Sequence, residues 1–295
     1  MKEIVVISGK GGTGKTSITA SFAWLGGKEV VTADCDVDAA DMHLLMDPDF
    51  ASITDFVSGE LAVIDSSRCT QCGKCAKVCR FDAIDMAGDR YKIDPVSCEG
   101  CAYCSRICPE KAIVMEKQEA GKVFISTLKT DGPMVHAALN TNAENSGRLV
   151  AQVKNEAKRI AQETGREIVL VDGSPGIGCP VVSSLTGADY VVFVTEPTVS
   201  GLHDLKRIND LRKIFKIPAG CIINKSDLNE EITEQIGGYL KKEDIGLIGT
   251  IPYDESFTKA MIQGETIVER NGCEAAQRIK DYWKKITQNI VQGRK

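Results

Sequence analysis

Three things are scarce in this sequence. Positive charge is not in excess: 36 lysines and arginines against 41 aspartates and glutamates leave a formal net charge of −5. That balance argues against a nucleic-acid binder working by bulk electrostatics, and leaves room only for a local basic patch. No apolar stretch approaches the ~18 residues of a membrane-spanning helix. No signal peptide is expected either, since Met1-Lys2-Glu3 runs straight into Ile4-Val5-Val6-Ile7, too short for the core of one. Together these absences predict a cytoplasmic protein with no transmembrane segment and no nucleic-acid partner. Cysteine, by contrast, is plentiful, with 12 in the chain. In a reducing compartment that number points to metal ligation rather than to a disulfide scaffold.

A chain of 295 residues, 43% of them hydrophobic, is long enough for one large domain or two smaller ones with a real core. Ile4–Ile7 is a continuous run of β-branched residues, the pattern of a strand buried on both faces. Val30–Ala33, Ile168–Val171, Tyr190–Val194, Gly220–Ile223 and Leu247–Ile251 repeat it. Helical periods separate them: Thr16–Leu25, Leu149–Thr164, and Leu202–Phe215 with Leu202, Leu205, Ile208, Leu211 and Phe215 on one stripe. This alternation predicts an α/β fold with a doubly wound, mostly parallel sheet. Residues 60–118 break the rhythm with a Cys-rich, turn-rich stretch that reads as a compact insert in a loop, after which Lys122–Leu128 resumes the sheet as a strand.

Between the first strand and the first helix lies Gly9-Lys10-Gly11-Gly12-Thr13-Gly14-Lys15-Thr16, which fits G-x-x-x-x-G-K-[ST]. Glycines let backbone N–H groups converge on phosphate oxygens, and the helix starting near Lys15 adds its positive end. Lys15 reaches the outer phosphates and the Thr16 hydroxyl ligates Mg²⁺; Gly11, Gly12, Thr13, Gly14, Lys15, Thr16 and Ser17 form the expected nucleotide contacts. Such loops serve kinases as well as NTPases.

The extra lysine, Lys10, gives the form K-G-G-x-G-K-[ST], which resembles the deviant Walker A loop of the MinD/ParA/nitrogenase-iron-protein family. Further pieces match in order. Asp34-Cys35-Asp36 resembles the first switch, Asp172-Gly-Ser-Pro175-Gly176 the second, Asn224-Lys225-Ser226-Asp227 the adenine-side loop, and Ile251-Pro252-Tyr-Asp254 the last nucleotide-flanking turn. The resemblance implies a P-loop ATPase domain over 1–59 and 119–295, acting on ATP and Mg²⁺. It implies that Asp36 positions the attacking water, that Asp172 holds Mg²⁺ through water, and that Asn224 and Pro252 flank the base. It further implies that Lys10 crosses to a partner's nucleotide in an ATP-dependent homodimer, or a heterodimer with a close paralogue.

Eight cysteines form two near-copies of C-x2-C-x2-C-x3-C: Cys69, Cys72, Cys75, Cys79 and Cys98, Cys101, Cys104, Cys108, the latter followed by Pro109. This spacing is how a short loop and turn point thiolates at the corners of an iron–sulfur cube. The copies lie 29 residues apart, and Ala83-Ile84 after the first aligns with Ala112-Ile113 after the second. The pair resembles two-cluster bacterial ferredoxins, which implies two [4Fe–4S] clusters in a ferredoxin-like α+β domain over 60–118. It also implies crossed ligation: Cys69, Cys72, Cys75 and Cys108 for one cluster, Cys98, Cys101, Cys104 and Cys79 for the other. The first run departs from the pattern, with Arg80 in place of proline. Zinc is the alternative occupant of four cysteines. With both parts, the chain resembles MinD-superfamily P-loop ATPases that contain a ferredoxin domain.

Of the other cysteines, Cys221 reads as core, Cys273 has no context, and Cys35 sits between two switch aspartates, as packing or as a reporter of nucleotide state. Cys179 follows the second switch, either as a small residue at a turn or, by likeness to the nitrogenase iron protein, as a metal ligand shared across a dimer. Glu274–Val291 carries Ala276, Ile279, Trp283, Ile286 and Ile290 on one face, a helix packed on the sheet or an amphipathic membrane-targeting tail. The expected function is an ATPase that couples ATP to iron–sulfur chemistry, in electron transfer or in cofactor assembly with a redox or metal-cofactor partner. The alternative is a MinD/ParA-like positioning ATPase with structural or sensing clusters.

Overall fold

In the computed structural model, which describes residues 1–140, 145–270 and 272–291, the chain divides into two compact units. The first comprises Met1–Thr54, Val123–Ala138 and Ser146–Lys295; the second comprises Asp55–Lys122 and Leu139–Asn145. The strands are β1 (Lys2–Ile7), β2 (Val30–Asp34), β3 (Ser52–Ile64), β4 (Ile84–Ala87), β5 (Arg90–Ile93), β6 (Ile113–Thr127), β7 (Pro133–Leu139), β8 (Ile168–Asp172), β9 (Tyr190–Thr195), β10 (Ala219–Asn224) and β11 (Gly246–Ile251). The helices are α1 (Lys15–Gly26), α2 (His43–Met46), α3 (Lys74–Val78), α4 (Tyr103–Ile107), α5 (Ser146–Thr164), α6 (Cys179–Leu185), α7 (Val199–Phe215), α8 (Glu230–Lys242), α9 (Ser256–Ile262) and α10 (Glu274–Val291).

The β-branched runs become the centre of a nine-stranded sheet, in the order β11-β10-β9-β1-β8-β2-β7-β6-β3. β1 lies between β8 and β9, parallel to both, with Val5 opposite Val171 and Val191. Parallel pairing continues through β9–β10–β11 and β8–β2–β7. Side chains alternate across a strand, so Ile4 and Val6 enter one core together with Ile18 and Phe22 of α1 and Ile279 and Ile286 of α10. Phe22 is fully buried and stacks on Trp283 at 5.3 Å, a burial worth about 2–3 kcal/mol. The apolar stripe of α10 is thus spent inside the protein: Ile279 and Ile286 are buried, so it is a packing helix and not a membrane tail. No helix among the described residues is long and apolar enough to cross a membrane.

The residues 60–118 expected as a compact insert lie within the second unit, but their ends are strands rather than loops. The chain leaves the first unit along β3 and returns along β6, and positions 60 and 118 fall inside these strands. The strand expected from Lys122 is the end of one that begins at Ile113. Ser52–Ile64 carries Ser, Thr, Asp and a mid-strand Gly59 at positive φ, residues that weaken a strand signal.

Within the second unit the 29-residue repeat is also a repeat of backbone. α3 and α4 occupy matching positions. The left-handed residues Gln71, Gly73 and Asp82 of the first copy recur as Gly100, Ala102 and Lys111 of the second. Such conformations cost on the order of 1 kcal/mol at a non-glycine residue, so their recurrence marks a geometry that the fold holds at a cost. At Gly100 no side chain fits, since a Cβ would collide with the Glu60 carbonyl oxygen. The β4–β5 hairpin, antiparallel with Ile84 opposite Ile93, completes the unit.

Candidate functional site

The end of β1, the start of α1 and the ends of β2, β8 and β10 meet at one edge of the sheet, where parallel strands present their carboxyl ends and ligands collect. Gly14 turns the chain into α1 with φ of 88°, and a Cβ there would lie 2.5 Å from the Asn224 amide nitrogen. That amide, on buried Asn224, donates to the Thr13 carbonyl at 2.8 Å and so braces the loop. Pro252 follows β11. Ser226 N–H donates to Ile251 O at 2.9 Å and Tyr253 N–H to Asp227 Oδ1 at 2.6 Å, tying the two turns together. Gly11 and Gly12 are exposed.

Lys15 and Asp172 form the buried centre. Lys15 Nζ lies 2.8 Å from Asp172 Oδ2 and 3.5 Å from Asp36 Oδ2. Thr16 Oγ1 donates to Asp172 Oδ2 at 2.8 Å, and Thr19 Oγ1 to Asp172 Oδ1 at 2.8 Å. Asp172 is fully buried and Lys15 nearly so. Burial alone would lower the Lys15 pKa, but the charges of Asp172, Asp36 and Asp34 outweigh it and the net shift is upward. Burial first, then the charge of Asp172, pushes Asp34 up to about 8. Burial also raises Asp36, against the pull of Lys15. Asp172 and Asp36 facing one ammonium, with Asp34 held mainly protonated beside them, leave the site short of positive charge. Its donors are oxygens, the set that Mg²⁺ prefers.

The two segments that resemble switches are bonded to each other and to the residue before the loop. Ser174 Oγ donates to the Cys35 carbonyl at 2.6 Å, and Gly176 N–H donates to Ser8 O at 3.0 Å. Lys10 is held within its own chain, 2.6 Å from Glu196 Oε1 and 3.1 Å from Ser200 Oγ. Glu196 also takes Lys225 at 3.1 Å, and Lys225 Nζ donates to the Gly12 carbonyl at 3.1 Å. Sequence reasoning passed over Glu196, Lys225 and Thr19 as side chains of the site. A signal existed for Glu196, because a loop lysine needs an anion, but nothing local marks which one. Ser17 Oγ faces Met261 Sδ at 3.5 Å.

In the second unit the cysteines surround two pockets. Cys69, Cys72, Cys75 and Cys108 line one; Cys79, Cys98, Cys101 and Cys104 line the other. Burial pushes the Cys75 and Cys104 thiols up, and so do their neighbours in the same ring, Cys69 and Cys72 for the one, Cys98 and Cys101 for the other. Among the described residues no three His, Cys, Asp or Glu side chains converge to hold a single metal ion.

The remaining cysteines separate. Cys35 and Cys221 are fully buried, and burial raises both thiols, which makes them packing residues. Cys273 Sγ lies 3.4 Å from Asp254 Oδ2. Cys179 is exposed at the first position of α6, so close to Gly147 that a Cβ there would lie 3.2 Å from the Cys179 Cβ.

Comparison with known proteins gives three kinds of match. A family model described as the CobQ/CobB/MinD/ParA nucleotide binding domain matches residues 4–267. The uncharacterized protein MJ0578 of Methanocaldococcus jannaschii is 33% identical over 290 residues, spanning 98% of this chain and 97% of its own. Among solved structures, the MinD cell division protein of Aquifex aeolicus shares the fold with a TM-score of 0.59 at 18% identity, over 98% of each chain. The septum site-determining protein MinD from Pyrococcus horikoshii, complexed with Mg-ADP, gives 0.57 at 18% identity, over 97% of this chain and 95% of its own.

Proposed function

The chain belongs to the CobQ/CobB/MinD/ParA nucleotide-binding family, and from that premise we propose that it is a Mg²⁺-dependent ATPase whose nucleotide cycle is coupled to two [4Fe–4S] clusters in its second unit. Gly11, Gly12, Thr13 and Gly14 cradle the phosphates with Lys15, Thr16 and Ser17, while Asn224 and Pro252 flank the base. Thr16 and Asp172 would hold Mg²⁺, which would neutralise phosphate charge. Asp36 orients the attacking water. Hydrolysis converts ATP and water to ADP and phosphate, and frees the two switch segments, which Ser174 joins to each other and Gly176 joins to Ser8 beside the loop. ATP closes a two-chain sandwich in which Lys10 leaves Glu196 for the partner's nucleotide, a rearrangement of ordered segments that a γ-phosphate can drive.

The observation that carries the cluster half is the crossed ring. Each pocket is lined by three cysteines of one run and the last cysteine of the other. Left-handed residues recur before the helices that follow, the backbone form that makes N–H nests for phosphate and iron–sulfur groups. Thiols spaced around a cavity suit a cube with a metal at each corner rather than one ion. Bound there, the clusters supply one-electron redox chemistry. Electron transfer to a redox partner and loading of a metal-cofactor partner both use such a machine.

The test is chemical analysis of protein purified without air, together with ATP turnover. The reading expects eight iron and eight sulfide per chain and hydrolysis that Lys15→Ala abolishes. Stoichiometric zinc in place of iron would overturn the cluster half, and turnover unchanged by Lys15→Ala the ATPase half. Similarity to MinD favours a second reading, a positioning ATPase with structural clusters; ATP-dependent binding to lipid vesicles or DNA would select it.

A further inference from the structure

The two cysteine pockets repeat in backbone but differ in their linings. Around Cys69, Cys72, Cys75 and Cys108 stand Lys74 and Glu110. The guanidinium of Arg68 donates to the Glu110 carbonyl oxygen at 3.1 Å, which brings a second cation to that loop. The Ala112 N–H points at Cys108 Sγ at 3.3 Å. Around Cys79, Cys98, Cys101 and Cys104 the one charged side chain is Glu99. Ala83 is the repeat partner of Ala112, and among the described residues its amide makes no bond to Cys79 corresponding to the Ala112–Cys108 contact.

These differences act on one quantity. Reduction of an iron–sulfur cluster places one more negative charge within its thiolate ring, and its potential follows local charge, hydrogen bonds to sulfur and solvent exposure. A peptide N–H aimed at a ligand sulfur favours that extra charge, as does a nearby ammonium. A carboxylate with no cation to offset it opposes the charge. In the first pocket Lys74 offsets Glu110 and the N–H···S bond is added. In the second Glu99 is the charged residue of the lining, while Arg80, next to Cys79, is exposed and outside that lining. Exposure does not decide between them, since each ring has one exposed cysteine, Cys72 in the first and Cys101 in the second.

We infer that Lys74, the Ala112 N–H and Glu99 set the two clusters to unequal potentials, so that the ring of Cys69, Cys72, Cys75 and Cys108 accepts an electron before the ring of Cys79, Cys98, Cys101 and Cys104. The inference rests on the reading that the eight cysteines hold two clusters. It adds a direction: an external one-electron donor protein that reduces the Glu99 ring can pass its electron onward to the Lys74 ring, one electron leaving the donor and one arriving.

The experiment is an EPR-monitored redox titration of the full chain with dithionite, without air, on wild type, Lys74→Gln and Glu99→Gln, with iron counted in each sample. The expected result is two resolved one-electron steps. Lys74→Gln should lower the upper step alone, and Glu99→Gln should raise the lower step alone, each narrowing the gap. A single unresolved step in wild type, or variants that move the opposite step or both equally, overturns the inference while eight iron per chain keeps the cluster reading intact. Fewer than eight iron in wild type overturns the cluster reading itself before any potential is read. Both side chains are exposed, so folding and iron content should be unchanged, and a change in potential with full iron is a readout that a merely structural role would not move.

Discussion

The two units hold themselves together by different means. The first has a hydrocarbon core in which Phe22, Ile4, Leu170, Met42 and Met134 are fully buried, enough apolar area to stabilise a sheet without help. The second buries fewer large apolar side chains, Phe56 among them. Its cluster is Ala62, Ile84, Cys104 and Ile113, with Cys75, Cys79, Cys98 and Cys108 among the half-buried residues packed on it. Sulfur stands there where the first unit has aliphatic carbon. Units too small to bury enough apolar surface need staples or metals. The contrast is between a unit built on aliphatic packing and one whose packing includes cysteines, which on the proposed reading would be organised by the clusters they hold.

The sharpest way to break that comparison is to strip iron from the purified protein with a chelator. Bound metal contributes on the order of 10 kcal/mol to folding in small ligand-organised domains. Limited proteolysis should then cut within Asp55–Lys122 while the first unit keeps its protection and still binds nucleotide. Equal protection with and without iron would mean that the second unit folds unaided.

Next in size is Lys15→Ala. It leaves Asp172, Asp36 and Asp34 facing one another in a buried site, and removing one partner of a buried pair costs about 3–5 kcal/mol. The denaturation midpoint of the first unit should fall and Mg·ATP binding should vanish, while the second unit's iron content stays as in wild type.

A pH dependence also separates the units. His136 is buried in the first, 3.2 Å from Ser126 Oγ and stacked on Phe124 at 4.8 Å. Burial, then the charge of His43, lowers its pKa from 6.5 to about 4. The folded imidazole therefore refuses a proton that the unfolded one accepts. Its stabilising contribution is complete above pH 6.5 and is lost as pH falls through about 4, up to about 3 kcal/mol at 1.36 kcal/mol per unit. His136→Phe should flatten that part of the acid denaturation curve of the first unit. A curve unchanged by the substitution would contradict the assignment.

The smallest expected effect is Asn224→Ala, which leaves the buried Thr13 carbonyl without its donor at a cost of about 1–3 kcal/mol. Nucleotide affinity should drop several-fold with turnover of bound nucleotide nearly unchanged, measured by fluorescent-nucleotide titration and single-turnover hydrolysis.

How far the sequence disclosed this follows from the range of the interactions. The strands β1, β8, β9 and β10 were legible because a strand buried on both faces must be apolar at every position. The phosphate loop was legible because its contacts are made by its own backbone. β3 and the first part of β6 were not, since each strand buries only part of its length, β3 carrying Ser, Thr, Asp and Glu and β6 Glu, Gln and Lys along it. Glu196 and Lys225 were missed because their partners, Lys10 and Gly12, are far away in the chain, and spacing rules say nothing about side chains that meet only after folding. The cysteine repeat lies between these cases, with its spacing printed in the sequence and its crossed arrangement around two pockets requiring the fold.

The central claim is that nucleotide and clusters are coupled. Its most direct test is the EPR spectrum of the dithionite-reduced protein, recorded without air, with and without Mg·ATP. The account predicts signals of two reduced [4Fe–4S] clusters whose line shape or potential changes on adding Mg·ATP, a change that Lys15→Ala abolishes. Two cluster signals indifferent to Mg·ATP, in protein that demonstrably binds and hydrolyses it, would contradict the coupling and leave two independent units on one chain.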